Sequence, residues 1–276
     1  MILYRYRKFH EKYLCDEIED GKLFFCRLDS FNDPYEGRLT VDLDVNSITF
    51  YEILKLLRSI KPSDSRDTEM LELSFGKYAI LISRMNELIQ TMSDAELKRT
   101  ADQMTVASPG GSMNGILNDF HDGLRTQTVV CCFTEQKNSA PMFAYYAGDH
   151  NGVCIEYETT ETAHELYKVT YSNNIPLIDS NQLGEGIDKM FKDYALTKST
   201  FWQHEREWRI VYHPAPEIAL ITHGMRINHV TIGLKIEKEN SEKIVNWCKN
   251  SIYHNVQCSK VSLSPNTYEL KSENLL

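Results

Sequence analysis

Residues 202–212 read WQHEREWRIVY, the strongest local pattern in the 276-residue chain. If a strand begins by Glu205, side-chain alternation places Glu205, Glu207 and Arg209 on one face and the large apolar residues on the other. The two carboxylates would then lie about 7 Å apart, which is unfavourable unless water or a cation offsets their charge. The pattern predicts either a solvated edge, with both carboxylates paired to Arg206 or Arg209, or a functional carboxylate pair.

A second alternating stretch lies near the start of the chain, where residues 3–7 read LYRYR. In a strand, Arg5 and Arg7 share one face, and Tyr4 and Tyr6 share the other. Because a guanidinium can donate two parallel hydrogen bonds, this cationic stripe suits a phosphate or a ribose hydroxyl. The alternative is an edge strand that its charges protect from pairing with another chain.

The turn at residues 31–36, FNDPYE, has a high density of polar side chains. Asn and Asp side chains satisfy the backbone groups of a turn by themselves, so a structural role is favoured. In the functional alternative, Asp33 and Glu36 hold Arg5 or Arg7 in place.

Residues 132–146 predict a strand followed by an aromatic-rich helix. Tyr145 or Tyr146 could stack on a nicotinamide or adenine ring, because aromatic rings associate by offset stacking. Aromatic side chains at this density are also typical of a core. Both interpretations stay open.

The other patterns are those of an α+β protein. Strand patterns occur at residues 2–6, 22–27, 128–134, 152–157, 166–171, 207–212, 230–234 and 256–263, and helix patterns near 11–19 and 241–249. Between about 47 and 125, apolar residues recur at helical spacing, and Ser93 with Glu96 predicts a capping box. Since no linker or repeat interrupts the chain, we expect a single domain over residues 1–276, with the helices of about 47–125 inserted into a β-rich core.

Composition narrows the class of protein. The net charge of −9 disfavours sequence-independent clamping of nucleic acid, although it leaves room for a local basic channel. The seven cysteines are odd in number and show no CxxC spacing, so we expect reduced thiols rather than disulfides or a metal site.

No apolar run approaches the ~20 residues of a membrane span and no secretory signal is visible, so we expect a soluble, cytoplasmic protein. The sequence contains no Walker, GxGxxG, HExxH or GxSxG pattern. It therefore gives no support to a P-loop enzyme, a Rossmann oxidoreductase, a zincin or an α/β-hydrolase.

Four segments, taken in order, resemble a large uncharacterised bacterial family: LYRYR, FNDPYE, CCFTEQKNSAPMFAYYAGDHNGVCIEY and WQHEREWRIVY. Members of that family carry an LYHY-like strand, an FNDPF/Y-D/E turn, a CFS…MWxxYAxxHxGxCxxF segment and a WxxExEWR strand. The resemblance extends to VTIGLKI at residues 230–236. It assigns no activity.

A more distant resemblance is to the ADP-ribosyltransferase fold, especially to toxin-like enzymes that modify nucleic-acid bases. It implies a β-rich core with a split, mixed or antiparallel sheet, and NAD as co-substrate. Glu207 falls at the catalytic carboxylate, and Glu205 completes an E-x-E arrangement like that of transferases that modify arginine. Arg5 stands where that fold more often has His. Together with the patterns above, the resemblance implies these cofactor-binding residues: Arg5, Arg7, Asn32, Thr134, Tyr145 and Tyr146.

Three function hypotheses follow. The first is an NAD-dependent ADP-ribosyltransferase-like enzyme of bacterial stress response or phage defence. It would transfer ADP-ribose to a macromolecular acceptor, protein or nucleic acid, or hydrolyse NAD. Glu207 would hold the ribose 2′-hydroxyl, Glu205 would orient the acceptor, and no metal is required. The second is a non-catalytic sensor that binds a nucleotide or a protein through Arg5 and Arg7. The third is a metal-dependent nuclease that would use four acidic residues: Asp33, Glu36, Glu205 and Glu207.

Overall fold

The computed structural model describes residues 1–43, 46–59, 79–107, 121–159, 166–179, 193–212, 220–221 and 224–276. The strands, in chain order, are β1 (Ile2–Lys8), β2 (Lys22–Leu23), β3 (Cys26–Arg27), β4 (Thr40–Val41), β5 (Val129–Thr134), β6 (Gly152–Thr159), β7 (Leu166–Lys168), β8 (Thr170–Ser172), β9 (Leu177–Ile178), β10 (Thr197–Ser199), β11 (Glu207–Tyr212), β12 (Leu220–Ile221), β13 (Met225–Ile232), β14 (Gln257–Leu263) and β15 (Leu270–Asn274). The helices are α1 (Glu11–Ile18), α2 (Ser47–Ser59), α3 (Ala79–Gln90), α4 (Asp94–Ala107), α5 (Ala140–Tyr146) and α6 (Lys238–Asn250). Residues 121–127 are also helical.

Within the described residues, nine strands form the main sheet, in the order β15–β14–β13–β6–β1–β5–β11–β7, with β3 beside β5. Neighbouring strands run antiparallel. The exception is the parallel pair of β13 and β14, which the chain connects through α6. The predicted α+β class is therefore confirmed, with a mostly antiparallel sheet.

The sheet opens between β1 and β5. These strands pair at one position, Tyr4 with Thr134, whereas β1 pairs with β6 along its whole length. Further along β5, β3 pairs with two of its residues, Cys26 opposite Val130 and Arg27 opposite Val129. An opening lined by strand residues therefore lies in the middle of the sheet.

Helices α1 and α6 cover one face of the sheet. Leu14 and Ile18 of α1 and Ile244 of α6 pack with Ile155 of β6, and all four side chains are fully buried. Burying an aliphatic side chain of this size stabilises the fold by about 1.5–3 kcal/mol. This packing fixes α1 against β1 and determines where the buried side chain of Glu17 lies.

Helices α2, α3 and α4 share a small apolar core of their own, built from seven buried residues. The predicted capping box is present, since Ser93 N donates to Glu96 Oε2 at 2.8 Å and Glu96 N donates to Ser93 Oγ at 3.4 Å. The parts of the helical pattern at 60–78 and 108–120 lie outside the described residues. Among the helices that the structure describes, none is both long and apolar enough to cross a bilayer.

Two strand predictions were only partly right, and one strand of the main sheet was not predicted. The pattern at 22–27 is two short strands, because Phe24 O accepts a hydrogen bond from Arg5 Nη2 at 2.6 Å and β2 and β3 have different partners. The pattern at 166–171 divides in the same way, since β7 pairs with β11 and β8 pairs with β10. Strand β15 was not predicted, because its sequence LKSEN is mostly polar and exposed.

Candidate functional site

A cavity of about 330 Å³ lies at the opening between β1 and β5. This volume is at the low end of the range of small-molecule pockets, about 300–1,000 Å³. All eight site residues proposed from the sequence line the cavity: Arg5, Arg7, Asn32, Thr134, Tyr145, Tyr146, Glu205 and Glu207. The structure thus brings together four segments that are far apart in the chain.

Two carboxylates of the cavity wall are bridged by one ammonium group. Lys198 of β10 donates from Nζ to Glu205 Oε2 at 2.6 Å and to Glu207 Oε2 at 2.8 Å. All three side chains are almost fully buried. One alternative from the sequence paired these carboxylates with Arg206 or Arg209. Arg209 does pair with Glu207, but Lys198 is the cation that both carboxylates share.

Glu205 ends a 3₁₀ turn (Thr200–Glu205), so the condition that the strand begins by Glu205 is not met, and β11 begins at Glu207, where the strand pattern starts. Arg206 has a left-handed backbone conformation with φ of 46°, which interrupts the extended chain before β11 begins at Glu207. Thr134 Oγ1 donates to the carbonyl oxygen of Glu205 and ties the turn to β5. The carboxylate of Glu205 therefore reaches the cavity from a turn rather than by strand alternation.

Glu207 and Arg209 lie on one face of β11, as predicted, and they pair with each other. Arg209 donates from Nε to Glu207 Oε1 at 2.7 Å and from Nη2 to Glu207 Oε2 at 3.2 Å. Burial by itself raises the pKa of the Glu207 carboxyl, but the charges of Arg209 and Lys198 outweigh burial and lower that pKa from 4.5 to about 2. Glu207 is therefore a buried, fixed negative charge.

The FNDPYE turn reaches the same group of charges. Glu36 Oε1 lies 2.6 Å from Arg209 Nη1, and neither side chain has exposed surface. Asp33 Oδ1 accepts from the backbone N–H two residues further on, which is the structural role predicted for it. The alternative that Asp33 or Glu36 holds Arg5 or Arg7 is wrong, because Glu36 faces Arg209 and both arginines face α1.

Arg5 and Arg7 share one buried partner, Glu17. Arg5 donates from Nη1 to Glu17 Oε1 at 2.9 Å and from Nη2 to Phe24 O, and Tyr157 OH donates to Glu17 Oε1 at 2.7 Å. Arg7 Nε lies 3.3 Å from Glu17 Oε2 without the alignment of a hydrogen bond, and 20 % of the Arg7 side chain is exposed. Arg7 is thus the more accessible guanidinium for a ligand in the cavity.

The two tyrosines of α5 have different surroundings. Tyr146 is partly buried and donates its hydroxyl to Glu205 Oε1. Tyr145 is 60 % exposed, and its ring lies 6.3 Å from the ring of Trp202. The Trp202 ring in turn lies 5.1 Å from Lys198 Nζ. Tyr145 and Trp202 therefore form an aromatic rim beside the charged wall.

Sequence reasoning missed Lys198 and Glu17, although each organises a pair of predicted residues. Lys198 lies in the unremarkable sequence ALTKST, where no local pattern marks it. A signal for Glu17 was available, because it falls three positions after Leu14 and beside Ile18, on the apolar side of α1. A carboxylate on the buried face of a helix requires a partner, and here the partners are the arginines of β1.

The charges also bear on the nuclease hypothesis. Lys198 and Arg209 occupy the carboxylates of Glu36, Glu205 and Glu207. In the part of the chain that the structure describes, no group of three or more His, Cys, Asp or Glu side chains is arranged to hold a metal ion. This arrangement does not favour the nuclease hypothesis.

Much of this wall lies in one segment that matches a known family. Residues 142–210 match the family described as "Protein of unknown function (DUF2971)". The chain is similar to that family over this segment. The predicted resemblance to an uncharacterised family is confirmed over these residues. Searches of curated proteins and of solved structures find no match. The matched segment contributes these charged and aromatic residues of the cavity wall: Tyr145, Tyr146, Lys198, Glu205 and Glu207. It also contains Trp202, whose ring lies beside that of Tyr145.

Proposed function

We propose that the chain is an NAD-dependent ADP-ribosyltransferase-like enzyme, which transfers ADP-ribose to a protein or nucleic-acid acceptor or hydrolyses NAD. One observation carries the proposal. A buried carboxylate pair, an accessible arginine and an exposed tyrosine line the same cavity, although they come from distant parts of the chain. The opening between β1 and β5 supports a split sheet of the ADP-ribosyltransferase kind.

The chemistry suits a site of this composition. In NAD⁺ the bond between ribose C1′ and the nicotinamide nitrogen breaks with its electron pair moving to the ring, so nicotinamide leaves as a neutral molecule and needs no general acid. The ribose develops positive charge at C1′, which a buried carboxylate stabilises. Water or an acceptor hydroxyl, amine or ring nitrogen then bonds to C1′ and releases one proton.

Hydrogen-bonding capacity favours Glu205 for direct contact with the substrate. An ionised carboxylate offers about four lone-pair positions. Glu207 already accepts from Arg209 Nε, Arg209 Nη2 and Lys198 Nζ. Glu205 accepts only from Tyr146 and Lys198 among the described residues. We therefore assign the ribose hydroxyl or the attacking nucleophile to Glu205 and a fixed negative charge to Glu207, which differs from the roles that the resemblance implied.

The remaining residues fit the other parts of NAD. The guanidinium of Arg7 is partly exposed and suits the diphosphate, whereas Arg5 is occupied by Glu17 and Phe24 O. Tyr145 at the rim offers an exposed ring for stacking. A cavity of about 330 Å³ suits one nucleoside portion of NAD, so the rest of the molecule would extend past the rim.

The direct test is release of nicotinamide from NAD⁺ by the purified protein, measured by chromatography. We expect Glu205→Gln to reduce the rate by about 10²–10³-fold, the usual effect of removing one electrostatic contact in a transition state. Glu242→Gln is the matched control, because the Glu242 side chain is 68 % exposed on α6. Failure of the wild-type protein to release nicotinamide or to label any acceptor would remove the proposal.

Glu207→Gln needs a different interpretation. It also leaves Arg209 buried with less compensation, so a loss of activity in this variant is meaningful only beside an unchanged unfolding midpoint. Full activity in both glutamine variants would refute the assignment of the carboxylate pair.

A non-catalytic sensor is the second candidate, and one observation favours it. Both carboxylates are already paired with Lys198, so they hold a stable charge arrangement without any substrate. In this case NAD, ADP-ribose or another nucleotide raises the unfolding temperature with no nicotinamide released, because a ligand that binds only the folded state stabilises it by RT ln(1 + [L]/Kd).

A further inference from the structure

Lys198 is placed to control its two neighbouring carboxylates. It lies in β10, a three-residue strand outside the main sheet, and is 7 % exposed. Its Nζ contacts Glu205 and Glu207 at 2.6 and 2.8 Å and lies over the ring of Trp202. No hydrogen bond from the described residues other than those of Lys198 and Tyr146 reaches the Glu205 carboxylate.

The two carboxylates do not depend on Lys198 equally. Arg209 pairs with Glu207 and Glu36 and makes no ion pair with Glu205. The other groups that face the pair are neutral at ordinary pH: the phenols of Tyr146 and Tyr171 and the thiol of Cys132. Lys198 is therefore the cation that compensates Glu205, whereas Glu207 keeps a second one.

Removing the ammonium would change the charge of the site. Three buried carboxylates (Glu36, Glu205 and Glu207) would then share one guanidinium. A buried carboxylate without a cation takes up a proton rather than remain ionised. Burial lowers the pKa of the Lys198 ammonium, but the charges of Glu207 and Glu205 outweigh it and keep that pKa above its ordinary value, so Lys198 stays charged.

We propose that Lys198 is a positioning residue that keeps Glu205 ionised and directed into the cavity. Without it, Glu205 becomes an uncharged acid that donates its own proton and is a weaker acceptor for a substrate hydroxyl. The consequence for catalysis rests on the proposed function, whereas the consequence for the protonation of Glu205 does not.

The first experiment therefore needs no activity. In protein labelled with ¹³C at the glutamate side-chain carboxyl carbons, we expect Lys198→Met to add one signal that is absent from the wild-type spectrum. This signal should titrate at roughly pH 5–8, because burial without a cation raises the pKa of a carboxyl group. The added signal should be missing from the double variant Lys198→Met with Glu205→Gln. Lys198→Arg should behave as wild type, because it restores the cation.

Lys198→Gln is the second neutral variant, in case the apolar Met side chain prevents folding beside the carboxylates; circular dichroism identifies the folded variants. The proposal is overturned if neither neutral variant shows a new titration in this range, or if the new signal persists when Glu205 is replaced by Gln.

The second experiment measures nicotinamide release against pH. In Lys198→Met the rate should fall on the acidic side by about tenfold per pH unit below the new titration, while Lys198→Arg keeps the wild-type profile. An equal loss at every pH in Lys198→Met indicates a structural role and overturns the positioning role. If wild-type protein releases no nicotinamide, the proposed function fails, and the carboxyl titration still decides the role of Lys198.

Discussion

Arg209 Nη1 lies 2.6 Å from Glu36 Oε1, in an ion pair with no exposed surface that joins the FNDPYE turn to β11. The pair lacks the alignment of a hydrogen bond, and Arg209 Nη1 donates to Ala195 O at 2.7 Å. Arg209 holds Glu207 with its other nitrogens. The turn therefore takes part in fixing the carboxylate wall of the cavity without lining it with its own glutamate.

The first prediction concerns this pair. We expect Glu36→Gln to lower the free energy of unfolding by about 3 kcal/mol, because it removes the charge that compensates a buried guanidinium. Urea denaturation at pH 7 measures the change. Glu242→Gln, at an exposed position, should stay within about 0.5 kcal/mol of wild type. Equal stability of the two variants would show that Glu36 does not compensate Arg209.

The second prediction concerns the buried ion pair of Arg5 and Glu17, 2.9 Å from Nη1 to Oε1. Glu17→Leu should destabilise the protein by about 3–5 kcal/mol, because Arg5 is left charged and buried. The double variant Glu17→Leu with Arg5→Met should recover a large part of this loss, since both charges are then gone. Urea denaturation gives the free energy of unfolding of the wild type, the two single variants and the double variant, which together form a double-mutant cycle. If the losses of the single variants simply add up in the double variant, Arg5 and Glu17 do not interact directly.

The third prediction concerns the pH dependence of stability. The pKa of Glu207 is about 2 in the folded protein and 4.5 in its ordinary state, so the folded state favours the ionised form. Its contribution, about 3 kcal/mol, is fully present above pH 4.5 and is lost as pH falls toward 2. The stability difference between wild type and Glu207→Gln should therefore shrink between pH 4.5 and 3, as measured by urea unfolding at each pH. A constant difference across this range would show that Glu207 is not held in the ionised form.

The fourth prediction concerns the start of α4. Ser93→Ala removes the side-chain oxygen that accepts from Glu96 N, and we expect a loss of about 1 kcal/mol. Ser93→Asp is the matched control, because Asp is an equally good N-cap and should keep the stability. Thermal unfolding followed by circular dichroism measures both, and an alanine variant as stable as wild type would mean that the box contributes nothing.

Features with a local cause could be predicted from the sequence. The boundaries of β11, the alternation of its faces and the capping box at Ser93 depend on residues close in the chain. The left-handed backbone conformation of Arg206, which interrupts the extended chain before β11, was missed. This conformation is rare for a residue other than glycine, and the sequence contains no glycine there that would indicate it. The division of residues 22–27 into two strands also depends on a residue that is distant in the sequence, because Arg5 donates a hydrogen bond to the carbonyl oxygen of Phe24.

The candidate site shows the same limit. Motifs rich in charged and aromatic residues identified eight of the residues that line the cavity. Their partners were not identified, because Lys198 and Glu17 meet them only through the tertiary fold. As a result, sequence reasoning listed the groups of the site and named the pair of Glu207 with Arg209, but it missed the ion pairs made by Lys198 and Glu17.

The single pairing of Tyr4 with Thr134 means that ladder hydrogen bonds do not determine how far β1 and β5 stand apart beyond that point. Side chains bridge the gap instead, with Arg5 reaching Phe24 O at 2.6 Å and Tyr6 OH reaching Gln136 O at 2.9 Å. The width of the opening between β1 and β5 therefore depends on these side chains, and the pairing of β1 with β6 does not have to change when one of them is replaced. Point substitutions at these bridging side chains would therefore change the width of the opening, and with it the size of ligand that fits, without any insertion or deletion in the chain.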